Sequence, residues 1–178
     1  GVRQLAEWSG RGIHLQVSLN ISADDLINLD LRERVAQLLE QYRVDPQQLV
    51  FEITESAVMQ DQSRSLQVLE DLRRLGIGLS VDDFGTGYSS LSQLKRMPVQ
   101  ELKIDQSFVR DLDEHSEDAV IVRSTIEMSH SLGLKVVAEG VEYERSLQLL
   151  RRWGCDCVQG YFISRPLPPA AFESWLLP

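Results

Sequence analysis

The sequence predicts an α/β protein of about six parallel strand–helix units, on three observations. Short β-rich runs recur along the 178 residues, helical periodicity fills the intervals, and three helical stretches end in a glycine followed by the next run. Strands alternating with helices imply βαβ crossovers and a parallel sheet. A complete TIM-type (β/α)8 barrel needs about 250 residues, so this chain fits such a barrel short of about two units. An open doubly wound sheet of six strands has the same spacing, and spacing alone does not separate the two.

Taken in order, the chain opens in the end of a helix marked by Val2, Leu5 and Trp8, and its start at Gly1 without methionine predicts a piece cut from something longer. Strand-like runs follow at 13–20, 49–54, 77–83, 101–105, 134–139 and 156–160. Between the first two, Leu31, Val35, Leu38, Leu39 and Tyr42 recur at helical spacing and predict one apolar face, with Ser22 as the N-cap. Leu66, Leu69, Leu72 and Leu75 predict a second stripe, and Leu147 with Leu150 a shorter one. Leu75-Gly76, Leu132-Gly133 and Trp153-Gly154 place glycine where a left-handed C-cap requires it. The acidic stretch 111–118 is expected to be a solvated loop.

Composition narrows the function. A hydrophobic fraction of 43% and a charged fraction of 25% are those of a globular domain. No apolar run approaches the roughly 18 residues needed to span a bilayer, so no membrane contact is expected of this segment. The net charge of −9 argues against a DNA or RNA polymer as partner, because phosphate contacts need clustered Lys and Arg. It leaves room for a phosphorylated ligand reached through divalent cations held by acidic side chains. Cys155 and Cys157 are too few for a disulfide framework or a four-ligand zinc site, and predict reduced, half-buried thiols in a cytosolic protein. His14, His115 and His130 are expected to be bystanders.

Each predicted strand delivers a polar side chain at or near its C-terminal end. In order these are Asn20, Glu52 with Glu55, the pair Asp82-Asp83, Lys103 with Asp105, Glu139 and Gln159. In a barrel those ends converge on one mouth, where active sites lie. Asn, Glu and Asp are hard oxygen ligands suited to Mg²⁺ or Mn²⁺. Adjacent aspartates in a strand point to opposite faces, so the pair works only where the backbone turns, which Gly85 and Gly87 permit. Such a pair can serve two ions about 3.5–4 Å apart and so support phosphodiester hydrolysis. Lys103 can orient or deprotonate the attacking water or neutralise developing charge; the structural alternative is a brace against Asp105.

These residues lie in motifs that resemble the EAL family of bacterial cyclic di-GMP phosphodiesterases. The motifs are Val17-Ser18-Leu19-Asn20-Ile21-Ser22, Phe51-Glu52-Ile53-Thr54-Glu55-Ser56 and the run from Asp82 to Ser90 (DDFGTGYSS). Leu102-Lys103-Ile104-Asp105, Val137-Ala138-Glu139-Gly140-Val141-Glu142 and Gln159-Gly160-Tyr161 continue them, so the resemblance runs in order from about residue 1 to 177 and takes residues 1–178 as one partial domain. It implies a TIM-type barrel and two Mg²⁺ or Mn²⁺ ions held by Asn20, Glu52, Asp82, Asp83 and Glu139, with Asp82 bridging. It further implies Lys103 as the water-activating residue, with Asp105 and Gln159 supporting the metal–water network. Phe84, Gly85, Thr86, Gly87 and Tyr88 resemble the start of the family's loop that couples dimerisation to ligand binding, and Glu55 the glutamate that anchors it. Arg165-Pro166 resembles the segment bordering the guanine pocket.

The family's Glu-Ala-Leu motif does not occur, so the resemblance implies a partial domain beginning before the third barrel strand. Three functions are therefore expected to compete. The first is hydrolysis of cyclic di-GMP to the linear dinucleotide. The second is a catalytically silent cyclic di-GMP receptor, and the third a structural piece that assembles through open sheet edges. The resemblance also implies a homodimer, a cytoplasmic domain whose parent is free to be membrane-tethered, and sensory or diguanylate cyclase domains in that parent.

Overall fold

The β-rich runs all form strands: 49–54 is a strand throughout, 77–83 shifts by one residue to 78–84, and the other four are shortened. The computed structural model describes residues 1–85 and 91–176. The elements, in order, are α1 (Val2–Ser9), β1 (Val17–Asn20), α2 (Ala23–Leu26), α3 (Leu31–Tyr42), a 3-10 turn (Pro46–Gln48), β2 (Leu49–Thr54), α4 (Glu55–Met59), α5 (Gln62–Arg74) and β3 (Gly78–Phe84). There follow α6 (Leu91–Leu94), β4 (Glu101–Ile104), α7 (Gln106–Val109), α8 (Glu117–Ser131), β5 (Lys135–Ala138), α9 (Glu144–Arg152), β6 (Cys157–Val158) and α10 (Pro169–Leu176). Two compact units divide these elements, one of residues 1–103 with 132–134 and one of residues 104–131 with 135–178.

In the first unit the sheet order is β1-β2-β3-β4. β1 pairs parallel to β2 and β2 to β3, with Asn20 opposite Glu52 and Thr54 opposite Asp82. β2 is buried from Leu49 to Ile53, the near-continuous apolar run of a strand covered on both faces. α5 packs against β3 and buries Val68, Leu69 and Leu72 fully or almost fully. Truncating Leu69 or Leu72 to alanine would cost about 2–5 kcal/mol. In the second unit β5 pairs parallel to β6, Val137 opposite Cys157 and Ala138 opposite Val158. α8 covers this part through Ala119, Val122 and Ile126.

Neighbouring strands follow chain order within each unit, whereas a doubly wound sheet requires a reversal. The strand–helix succession is therefore that of a TIM-type barrel. Gly76, Gly133 and Gly154 all adopt left-handed φ, as C-caps should. No helix among the described residues is long and apolar enough to cross a membrane.

Several expectations need correction. Ser22 does not cap the helix containing Val35 and Leu39. It caps α2 in a reciprocal capping box with Asp25, and a break at 27–30, where the Asp30 N–H donates to Asn28 Oδ1, separates that turn from α3. On α3 only Val35 and Leu39 of the predicted face are buried, and Leu38 is exposed. The acidic stretch is not merely solvated. Leu112 is fully buried within it, Glu114 accepts from Arg152 Nη1 at 2.6 Å, and Glu117 and Asp118 open α8.

His130, expected to stand outside the chemistry, has a structural contact. Its Nε2 lies 2.8 Å from Asp156 Oδ2, which also accepts from the Val136 N–H at 2.8 Å, joining α8, β5 and the approach to β6. Burial alone would raise the Asp156 carboxyl. The His130 and Val136 hydrogen bonds, with the charges of His130 and Lys135, outweigh it and hold the group below the ordinary aspartate range. Both thiols are free, but Cys157 is exposed, not half-buried. Burial pushes the Cys155 thiol up to about 11, which leaves it protonated and unreactive at neutral pH.

Candidate active site

Strand register in the first unit assembles the site from the backbone outward. Residues paired across parallel strands share a face, as do residues two apart on one strand. Asn20, Glu52, Thr54, Ser80 and Asp82 therefore lie on one face of β1, β2 and β3. Glu52 interrupts an otherwise apolar strand and is 8% exposed. Lys103 of β4 is 4% exposed. Its Nζ lies 2.8 Å from Glu52 Oε2 and 3.2 Å from Asp82 Oδ1.

Three charges thus share a nearly water-free site. Each costs several kcal/mol to desolvate, and an apolar replacement of the whole set would often be neutral or stabilising. Such a cluster is better explained by chemistry than by stability. Asp105 does not define the Lys103 geometry, since its carboxylate turns away to cap α7.

Asp82 and Asp83 escape strand alternation by a sharper device than the glycines the sequence pointed to. Asp83 itself adopts φ +55°, followed by Gly85 at φ +101°, and the Asp83 N–H donates to Asp82 Oδ1 at 3.0 Å. A left-handed non-glycine residue costs about 1–2 kcal/mol, least for Asp and Asn. Strain of this kind is found where function over-determines the backbone. Phe84 is still the last residue of β3 and half-buried, and Gly85 is exposed. Thr86, Gly87 and Tyr88 lie outside the described residues.

Beside these strands, Asn20, Ser22, Glu52, Thr54, Ser56 and Gln60 line an open cavity of about 480 Å³. Thr54 Oγ1 accepts from the Ala57 N–H at 3.3 Å and so caps α4, whose first residue is the half-buried Glu55. Ser56 and Gln60 escaped sequence reasoning, because a hydroxyl and an amide on a helix carry no distinguishing pattern.

In the second unit Asp105 Oδ1 accepts from the Ser107 N–H at 3.0 Å and also bonds the Ser107 hydroxyl. Glu139 follows β5 directly, and its N–H donates to the Ile104 carbonyl at 3.1 Å. Gln159 follows β6, with its N–H on the Ala138 carbonyl at 2.8 Å and its carbonyl accepting from Val141 at 3.0 Å. Glu139 and Gln159 line one cavity of about 260 Å³ with Gln106, Arg110, Glu142 and Tyr161. The exposed Arg165 stacks its guanidinium 4.4 Å from the Tyr161 ring centroid, with Pro166 exposed beside it. Arg110 was missed as well, because an arginine at the end of a one-turn helix looks like any surface charge.

The donor set fits hard divalent cations. All the candidate ligands offer oxygen, and Glu52 and Asp82 already converge on a single positive charge, the Lys103 ammonium.

The EAL domain family model matches residues 1–166. The bifunctional diguanylate cyclase/cyclic di-GMP phosphodiesterase MucR of Pseudomonas aeruginosa is 42% identical over 167 residues, covering 93% of this chain and 24% of MucR. The chain thus spans about a quarter of that relative's length. A solved PaMucR phosphodiesterase–c-di-GMP complex is 41% identical and superposes with a TM-score of 0.89, covering 96% of this chain and 75% of that one. The EAL domain of Mycobacterium smegmatis DcpA is 37% identical with a TM-score of 0.92, covering 98% and 79%. A Klebsiella pneumoniae BlrP1 manganese/cy-diGMP complex is 31% identical with a TM-score of 0.84, covering 93% and 42%. Matched along nearly its whole length in sequence and in strand order, the chain belongs to the EAL domain family.

Proposed function

We propose that this chain serves the metal-dependent hydrolysis of cyclic di-GMP to the linear dinucleotide. The observation that carries the reading is the buried Glu52–Lys103–Asp82 constellation at the strand ends. The activity named for MucR and the manganese complex of BlrP1 support it from outside.

Asn20, Glu52, Asp82, Asp83 and Glu139 would hold two Mg²⁺ or Mn²⁺ ions. When bound, such ions supply an activated water and neutralise the leaving oxygen. Lys103 orients the attacking water from a rigid, desolvated position, which is where a fixed charge acts most strongly. Asp105 and Gln159 hold the surrounding water network, and Glu55 anchors the 84–91 segment. Arg165 and Pro166 border the base of the substrate. Residues 1–178 act as part of one EAL domain, cytoplasmic and homodimeric, in company with sensory or diguanylate cyclase domains such as the name of MucR records.

The test is hydrolysis of cyclic di-GMP with Mn²⁺ and with Mg²⁺, alongside equilibrium binding of the dinucleotide. Turnover should require the ion, stop on chelation, and fall at least about 100-fold in Lys103→Ala and Asp82→Asn. Tight binding with no turnover under any ion, both in this chain and in one extended upstream by two strand units, would reject the enzyme in favour of a receptor.

A further inference from the structure

Glu139 sits in a segment that its own residues do not hold alone. Backbone bonds fix its base, from Glu139 to Ile104 and from Val141 to Gln159, with Phe162 donating to the Val141 carbonyl at 3.0 Å. The other side of the segment meets α7. Gly140 adopts φ +71°, and a Cβ there would fall 2.5 Å from Gln106 Cβ and 3.1 Å from its Cα. Backbone and α7 therefore touch at a point where only glycine fits. One helical turn further on, Arg110 Nε meets Glu142 Oε1 at 3.2 Å, across the wall of the cavity that Glu139 and Gln159 line. The α7 turn is itself pinned by Asp105, through the Ser107 N–H.

We propose that Arg110 is a positioning residue: with Gln106 against Gly140, its ion pair to Glu142 clamps the 139–142 segment on α7 and so holds Glu139 in place. Arg110 is more than half exposed, so the pair adds little to global stability; it restricts local opening of the segment. The catalytic part of this inference rests on the function proposed above, but the clamp itself does not.

The experiment compares amide hydrogen exchange at Glu139 and Val141 in the wild-type chain, Arg110→Ala, Glu142→Ala and the charge swap Arg110→Glu/Glu142→Arg. Each alanine variant should exchange up to about fivefold faster at these amides, which is the opening expected for loss of one part-exposed pair. The swap should return exchange to within about twofold of wild type. Unchanged exchange in the alanine variants, or a swap no better than they are, overturns the clamp. Cyclic di-GMP hydrolysis adds a second reading, with kcat expected to fall in Arg110→Ala and recover in the swap. A swap that restores exchange but not kcat overturns the positioning role, because Arg110 or Glu142 would then be needed for its own charge at the substrate. If neither the wild-type chain nor one extended upstream by two strand units shows turnover, the proposed function fails while the exchange result still decides the clamp.

Discussion

Lys103 and Asp83 show how far single residues depart from what their neighbours in sequence would allow. Lys103 occupies a strand position flanked by the fully buried Leu102 and Ile104, and it survives there because Glu52 and Asp82 meet its ammonium. Its removal leaves two buried carboxylates without that cation. Lys103→Ala should therefore lower the unfolding free energy by about 3–5 kcal/mol in metal-free protein, measured by urea denaturation. Asp83 carries its cost in the backbone. Both Asp83→Ala and Asp83→Gly discard the carboxylate, but only glycine is at ease at φ +55°. Asp83→Gly should be the more stable of the two by about 1 kcal/mol, with both equally inactive; equal stabilities would mean the left-handed turn stores no strain. That Asp82 and Asp83 matter was legible from their adjacency before glycine. That Asp83 itself makes the turn was not, because a φ angle is a compromise among neighbours that no residue type announces.

At the scale of elements, the periodic stretches were legible and the short ones were not. α5 and α9 follow from apolar spacing, and the three glycine-ended helices stop where they should. α2, α4, α6 and α7 are turns of four or five residues, too short for periodicity to register. α2, α4 and α7 are specified by caps instead, as Ser22, Thr54 and Asp105 show. The clasp of His130, Asp156 and Val136 was invisible for another reason, since Asp156 lies 26 residues from His130 and 20 from Val136.

Asp156 has a lowered carboxyl pKa, so its contribution to stability is fully present above the unfolded value of about 3.9 and lost as pH falls through the folded one. Denaturation midpoints of wild type and Asp156→Asn should differ at pH 7 and converge as the pH falls below the ordinary aspartate range. A constant difference across that window would show that the carboxylate does not act through its charge.

For the whole molecule, nine net negative charges and a set of oxygen donors predict a protein that gains stability from divalent cations. Mn²⁺ at about 100 times its dissociation constant should add about 2.7 kcal/mol, seen as a higher melting temperature that chelation reverses. The loss in Lys103→Ala should shrink under the same conditions, because bound cations would then compensate the carboxylates. A melting temperature indifferent to Mn²⁺ would remove the metal site. The sequence by itself determined the α/β class, the order of the strands along the chain and the polar residue that closes each one, because these depend on local periodicity, capping and turn chemistry. Only tertiary structure decided that Asn20 lies opposite Glu52, that Lys103 pairs with Glu52 and Asp82, and that α7 backs the segment carrying Glu139. Those outcomes depend on register and packing between residues distant in the chain, where the energy of each contact is set by its surroundings.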